Sequence, residues 1–247
     1  MPEIQTKEQL REACEQYQKL LGSRLGLQGD DTRMILICGG TGCQASDSQG
    51  IEAEFQRLIA MNGLEGKVAA SISGCFGFCE KGPIIKIFPE NVFYVQVKVS
   101  DVAEIFESHI LHGQKVKRLL YTEPASKQKI DTSEEIPFYK RQQRVALRNC
   151  GLINPERIEE YIATGGYQAL ARVLSEMTPD QVIDEMKKSG LRGRGGAGFL
   201  TGRKWEFARK YAGDEKFVIC NADEGDPGAF MDRSIMEGDS HSVIEGM

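Results

Sequence analysis

The sequence predicts an α/β protein in two units, and three observations carry the prediction. Apolar runs of strand length alternate with helix-period segments through residues 33–121. A stretch nearly without apolar residues follows at 122–137, and a glycine-dense loop opening into a helix lies in the last quarter. The 247 residues, 40% hydrophobic and 27% charged, suit two modest globular domains and exclude a disordered or fibrous chain. A net charge of -5 gives no electrostatic reason to expect nucleic acid or an anionic membrane as partner. The first residues lack a basic segment followed by an apolar core, and no apolar run approaches the ~20 residues of a membrane span, so the expected location is cytoplasmic. Seven cysteines without an export signal point to metal or redox use rather than a disulfide scaffold.

Residues 1–32 read as a helical leader. Thr6 and Gln9 form a capping box, and Leu10, Cys14, Tyr17 and Leu21 recur at helical spacing, which makes Cys14 a packing residue. In the 33–121 unit, Met34-Ile35-Leu36-Ile37 reads as a buried strand that runs into Cys38-Gly-Gly-Thr-Gly-Cys43. Ile51, Phe55, Leu58 and Ile59 line one face of a helix. The strand "VAASIS" then leads into Cys75-Phe-Gly-Phe-Cys79. "IIKIF" and "FYVQV", parted by Pro89, Glu90 and Asn91, read as a hairpin, and Ser100 is placed to cap a helix that turns Val102, Ile105, Phe106 and Ile110 inward. The order β-α-β-β-β-α is that of a small thioredoxin-like sandwich with both cysteine pairs on loops at strand ends. Residues 122–150 are expected to be a linker, the polar "TEPASKQKIDTSEEIP" most plainly so.

Four thiols at two strand ends form one candidate site. A four-cysteine zinc site fits the spacing loosely. A 2Fe-2S cluster fits it better, because two irons suit two pairs held on separate loops. Glycines 39, 40, 42, 74 and 77 would let backbone amides approach cluster sulfides. Unligated or disulfide-forming thiols are the third reading. The C-x4-C and C-x3-C spacing also resembles that of the thioredoxin-like 2Fe-2S ferredoxins, in which such pairs ligate one cluster, so the resemblance implies Cys38, Cys43, Cys75 and Cys79 as its ligands.

The second unit, 151–247, opens with Asn154-Pro155 as a helix start and Gly165-Gly166 as its end. Thr178-Pro179-Asp180-Gln181 starts another helix, with Val182, Ile183 and Met186 inward and a stop at Ser189-Gly190. Then comes "GLRGRGGAGFLTGRKW". Gly193, Gly195 and Gly198 match G-x-G-x-x-G, but a helix rather than a strand precedes them, so the dinucleotide fingerprint is demoted. A glycine loop entering a helix, flanked by Arg192, Arg194 and Lys204, still offers amides and positive charge to a phosphate. "KFVIC" reads as a short buried strand, and Asn221, Asp223, Glu224 and Asp226 crowd its C-terminal end, where open α/β sheets bind ligands.

"SGLRGRGGAGFLTGRKWEF" and "FVICNADEGDPGAFMDR" closely resemble the flavin- and NADH-binding subunit of respiratory complex I and its relatives in NAD(P)-linked and electron-bifurcating hydrogenases and formate dehydrogenases. The resemblance implies the beginning of an FMN-binding α/β domain of complex I flavoprotein type, incomplete here, behind a thioredoxin-like ferredoxin domain. It implies FMN cradled by Gly193, Arg194, Gly195, Gly198 and Lys204, and contacted by Asn221, Asp223 and Glu224. Phe199 and Phe207 would pack on NAD(H) or NADP(H), and Asp226 would lie near the nucleotide ribose. The family's further segment and its cysteine motif for a 4Fe-4S cluster are not in this sequence, so the resemblance implies a truncated chain. No acid or base is implied, and His109, His112 and His241 are expected to be packing or solvated residues, as are Cys150 and Cys220. The implied role is electron transfer between NAD(P)H, FMN and iron-sulfur clusters, with iron-sulfur subunits of a hydrogenase, formate dehydrogenase or complex I-like assembly as partners. The alternatives are a stand-alone 2Fe-2S carrier or docking module without dehydrogenase activity, and a zinc-stabilised interaction domain.

Overall fold

A computed structural model describes residues 3–26, 32–213 and 215–247; part of the expected leader, 27–31, lies outside the described residues. Helix α1 (Lys7–Tyr17) carries the Thr6–Gln9 capping box expected of it. The central sheet has the order β2-β1-β3-β4, made of β1 (Arg33–Cys38), β2 (Val68–Ser73), β3 (Ile85–Phe88) and β4 (Val92–Tyr94). β1 pairs parallel with β2 and antiparallel with β3, and β3 with β4 is the expected hairpin. The parallel pair needs a crossover, which helix α2 (Ser48–Met61) supplies.

The sheet is buried on both faces, which explains why β1 reads as a continuous apolar run rather than an alternating one. Ile35 and Ile37 face α2 and helix α3 (Val102–Ile105) in a core that includes Ile51, Phe55, Ile85, Ile87 and Ile105. Leu36 and Cys38 face the other way, into a core with Cys43, Phe76, Phe93, Tyr121 and Ile136. This is the thioredoxin-like arrangement expected for residues 33–121. One cap differs. The turn before α3 begins at Lys98, whose amide donates to the Asp101 carboxylate, and Ser100 sits inside that turn rather than at its start.

The polar stretch at 122–137 does not run as a solvated tether. β5 (Tyr121–Thr122) pairs with β6 (Lys129–Ile130), the Phe93 amide donates to the Asp131 carbonyl, and Ile136 is fully buried. A few apolar residues placed opposite an open face are enough to seat it.

In the C-terminal part the structure holds α4 (Ile158–Ala163), α5 (Gln168–Glu176), α6 (Pro179–Ser189), α7 (Thr201–Lys210), α8 (Met231–Gly238) and α9 (Ser240–Gly246). α6 has the expected Thr178–Gln181 capping box and ends on Gly190 at φ 66°. α5 has no counterpart in the sequence expectations. "KFVIC" is not a buried strand: Phe217, Val218 and Ile219 are 79%, 65% and 83% exposed. A strand needs a ladder partner, and among the described residues none lies beside it. α1 packs against α4, where Leu10 and Cys14 meet Ile162, so Cys14 is the packing residue it was expected to be. Nearby, Arg24 and Glu160, both side chains 1% exposed, form an ion pair at 2.6 Å. Arg24 also donates to the Leu152 and Leu20 carbonyls, as a buried charge requires further partners, while among the described residues its Nε has none. No helix among the described residues is long and apolar enough to cross a membrane.

Candidate iron-sulfur and flavin sites

β1 delivers Cys38 to the end of the sheet, and a single turn from Thr41 to Gln44 carries Cys43 back toward it. β2 ends at Ser73, so the loop after it brings Cys75 and Cys79 to the same edge. The four thiols meet in sequence: Cys43 touches Cys38, Cys38 touches Cys75, and Cys75 touches Cys79. The amides of Phe76 and Gly77 donate to the sulfurs of Cys38 and Cys75 at 3.5 and 3.3 Å. Cys38 and Cys43 are buried and Cys79 is exposed, so one end of the row reaches the surface.

Bare backbone makes room for the sulfurs. A Cβ on Gly40 would stand 2.8 Å from the Cys75 sulfur, and one on Gly82 would stand 2.7 Å from that of Cys43. Both are closer than carbon and sulfur tolerate. Gly40 stands out in the sequence, whereas Gly82 does not, although its Gly-Pro dipeptide is a turn signal at the end of the same loop.

The thiols also constrain each other's charge. Cys43 is held below the ordinary thiol range, chiefly because Cys38 donates to it. Cys38 is pushed up to about 12, first by making that donation and then by burial. Cys75 is raised by donating to Cys38 and by burial, and Cys79 by burial and then by the nearby charge of Cys75. Among the described residues no three His, Cys, Asp or Glu side chains converge as ligands of a single metal ion. A row of four thiols with amide donors and sulfur-sized gaps in the backbone suits two irons in the 2Fe-2S form. The residues fit that group.

The glycine loop stands apart. Arg192 bridges to Leu200, the Gly193 amide donates to the Phe199 carbonyl at 2.8 Å, and Arg192 donates to the Gly198 carbonyl at 3.0 Å. Beyond these bonds, Gly195, Gly196 and Gly198 have open space where a Cβ would lie, and Gly196 and Gly198 have φ of 96° and 62°. Arg194 and Lys204 are exposed beside them. Open backbone with exposed cations beside it fits the phosphate end of a nucleotide. Phe199 and Phe207 stand 6.4 Å apart between centroids, and Arg203 lies over Phe207. Gly202 seats α7: its Cβ would fall 2.6 Å from the Lys187 amide nitrogen, so α7 and α6 touch backbone to backbone there.

The acidic loop is arranged differently. The Asn221 side chain accepts from the Asp223 amide, while Asp223 and Asp226 are exposed. Glu224, at φ 47°, accepts from the amides of Asp232 and Arg233 and so caps the first turn of α8. Among the described residues no hydrogen bond or ion pair joins 191–204 to 221–226. The three histidines pack: His109 with Tyr94, His112 on the Glu107 carbonyl, and His241 against Tyr161 and Tyr167. Cys150 is buried and Cys220 is exposed.

Residues 186–247 match the family model described as the Nuo51 FMN-binding domain. The chain is 60% identical over 108 residues to the NADP-reducing hydrogenase subunit HndC of Solidesulfovibrio fructosivorans, covering 44% of this chain and 22% of that one. It is 53% identical over 103 residues to the F 2 component of the NADH-quinone oxidoreductase of Rhizobium meliloti, covering 42% of this chain and 24% of that one. The chain thus spans less than a quarter of either relative. Among solved structures, the thioredoxin-like 2Fe-2S ferredoxin of Aquifex aeolicus matches with a TM-score of 0.35 at 27% identity, over 38% of this chain and 99% of that chain. A NAD+-reducing NiFe-hydrogenase matches with a TM-score of 0.32 at 20% identity, over 96% and 42%. Residues 186–247 are thus similar to the Nuo51 FMN-binding domain, and they lie in one chain with the four-stranded sheet unit described above.

Proposed function

We propose that the chain is part of an electron-transfer subunit of an NAD(P)H-oxidising or NAD(P)-reducing flavin iron-sulfur oxidoreductase. The observation that carries this reading is the presence, in one chain, of a four-thiol row and a glycine loop within the matched FMN-binding segment. Cys38, Cys43, Cys75 and Cys79 hold a 2Fe-2S cluster, with the Phe76 and Gly77 amides donating to its thiolates. Gly193, Gly195 and Gly198 present backbone to the FMN phosphate, and Arg194 and Lys204 balance its charge. Phe199 and Phe207 offer faces to the nicotinamide nucleotide, and Asp226 faces its ribose, leaving NAD or NADP open. Asn221, Asp223 and Glu224 contact the flavin once Glu224 yields the α8 amides it now caps. FMN, when bound, accepts a hydride as a pair of electrons and releases them singly to one-electron centres. The partners are iron-sulfur subunits of a hydrogenase, formate dehydrogenase or complex I-like assembly, in the cytoplasm.

A second reading, a 2Fe-2S carrier or docking module without dehydrogenase activity, is favoured by the present engagement of Glu224 and the exposure of 217–219. Iron, sulfide, zinc and flavin analysis of anaerobically reconstituted chain, with its visible spectrum, separates the two. About two irons and two sulfides with bound flavin supports the first reading. Cluster without flavin supports the second, and zinc without sulfide overturns both.

A further inference from the structure

The loop that carries Cys75 is gripped from two sides by residues that ligate nothing. On one side, Ser73 donates from its hydroxyl to the Ile153 carbonyl at 2.8 Å and accepts from the Gly151 amide at 3.1 Å. Tyr139 and Arg144 both donate to the Phe76 carbonyl, and the Phe76 ring lies where a Cβ on Gly151 would be, 2.7 Å away. On the other side lies the last turn of α8. A Cβ on Gly74 would stand 2.6 Å from the Cα of Gly238, and one on Gly238 would stand 2.7 Å from the Cys150 sulfur and 3.2 Å from the Cα of Gly74. Two glycines and a buried thiol therefore close on each other with no side chain between the two backbones. Gly238 is itself fixed: the next residue, Asp239, is 1% exposed and accepts from the Asn149 side chain at 2.8 Å, and Cys150 reaches the Ser234 carbonyl.

This contact joins the residue just before Cys75 to a helix of the matched FMN-binding segment. Backbone-on-backbone packing has no soft side chain to absorb a displacement, so a shift of either element is passed to the other. We propose that Gly74, Gly238 and Cys150 form a positioning seat, through which the C-terminal segment holds the Cys75 loop in ligating register and keeps water off that side of it. The inference rests on the cluster reading for its electronic consequence, but the mechanical part stands without it. Neither Gly238 nor Cys150 is a catalytic residue; both act through the loop.

Gly238→Ala tests this, with Cys150→Ala as control and Cys150→Ala/Gly238→Ala as rescue, since removing the sulfur vacates the space the new methyl needs. Two readouts are taken on the full 247-residue chain: amide hydrogen exchange at residues 75–77 in metal-free protein, and the electron paramagnetic resonance spectrum and midpoint potential of reconstituted protein. Gly238→Ala is expected to speed exchange at 75–77 by about tenfold, as a locally opened segment does. It is also expected to shift the spectrum, and the double variant to recover most of both. Wild-type exchange and spectrum in Gly238→Ala would overturn the seat, as would a double variant no better than the single one. If the wild type takes up no iron, the cluster reading fails and the exchange data alone decide the seat.

Discussion

The sheet unit at 33–121 and the segment at 191–230 carry equally distinctive motifs, yet the structure finishes one and leaves the other open. In the first, every strand has a neighbour, Ile35, Leu36 and Ile37 are fully buried, and four thiols from two loops meet at one edge. In the second, the glycine loop closes its local bonds, but Phe217, Val218 and Ile219 face solvent and Glu224 spends its carboxylate on the nearest helix. A loop needs only its own residues to take shape, whereas a strand and a two-part ligand site need something from elsewhere in the fold. Motif strength therefore does not measure how far a site is assembled.

That contrast can be broken at several points. Cys43→Ser should remove the largest single feature of the finished half: iron after reconstitution falls from about two per chain to well below one, read by metal analysis. Retention of two irons would deny Cys43 its place in the row. Ile37→Ala, which opens a cavity between the sheet and α2, should cost about 2–5 kcal/mol in denaturant unfolding. A cost under about 1 kcal/mol would mean the sheet core is no tighter than the open segment.

The next effect is set by acid. His109 is buried and kept neutral; burial lowers it from 6.5 to about 4. The Tyr94 hydroxyl accepts from the Val116 amide and shares a hydrogen bond with His109 Nδ1 at 2.9 Å, while among the described residues the buried Nε2 has no partner. As pH falls below 6.5 the unfolded chain takes up the proton first. The stabilisation is therefore complete above 6.5 and is lost as pH drops through about 4, by up to roughly 3 kcal/mol. His109→Gln should flatten that acid limb in urea titrations, and an unchanged limb would assign it to other groups. Smallest of all, Ile219→Ser should change stability by no more than ~0.5 kcal/mol. A loss as large as that of Ile37→Ala would show that 217–219 is packed in solution.

What the sequence discloses follows the same division. Strand runs, the hairpin at Pro89–Asn91 and the Thr6 and Thr178 capping boxes are local chemistry, and each is found where its residues stand. The four thiols are legible because strand ends on one edge of a sheet bring their loops together. Gly82, the grip of Tyr139 and Arg144 on Phe76, and the seating of Ile136 are not, because each depends on a neighbour distant in sequence. "KFVIC" misleads for the converse reason: its β-branched and aromatic content says that it can be a strand, and only a partner could make it one.

The docking of α1 on α4 has a consequence for how the chain is made. Cys14 reaches the Ala163 carbonyl across 149 residues. At ribosomal speeds of about 5–20 residues per second, the first helix waits roughly 7–30 s for its surface to be synthesised. The sheet unit, whose strands pair with one another within 33–94 and whose second core takes in Ile136, can close in that interval. For those seconds the nascent chain trails an amphipathic helix with Leu10 and a reduced thiol bare, open to chaperones and oxidants, until α4 is made and puts them away.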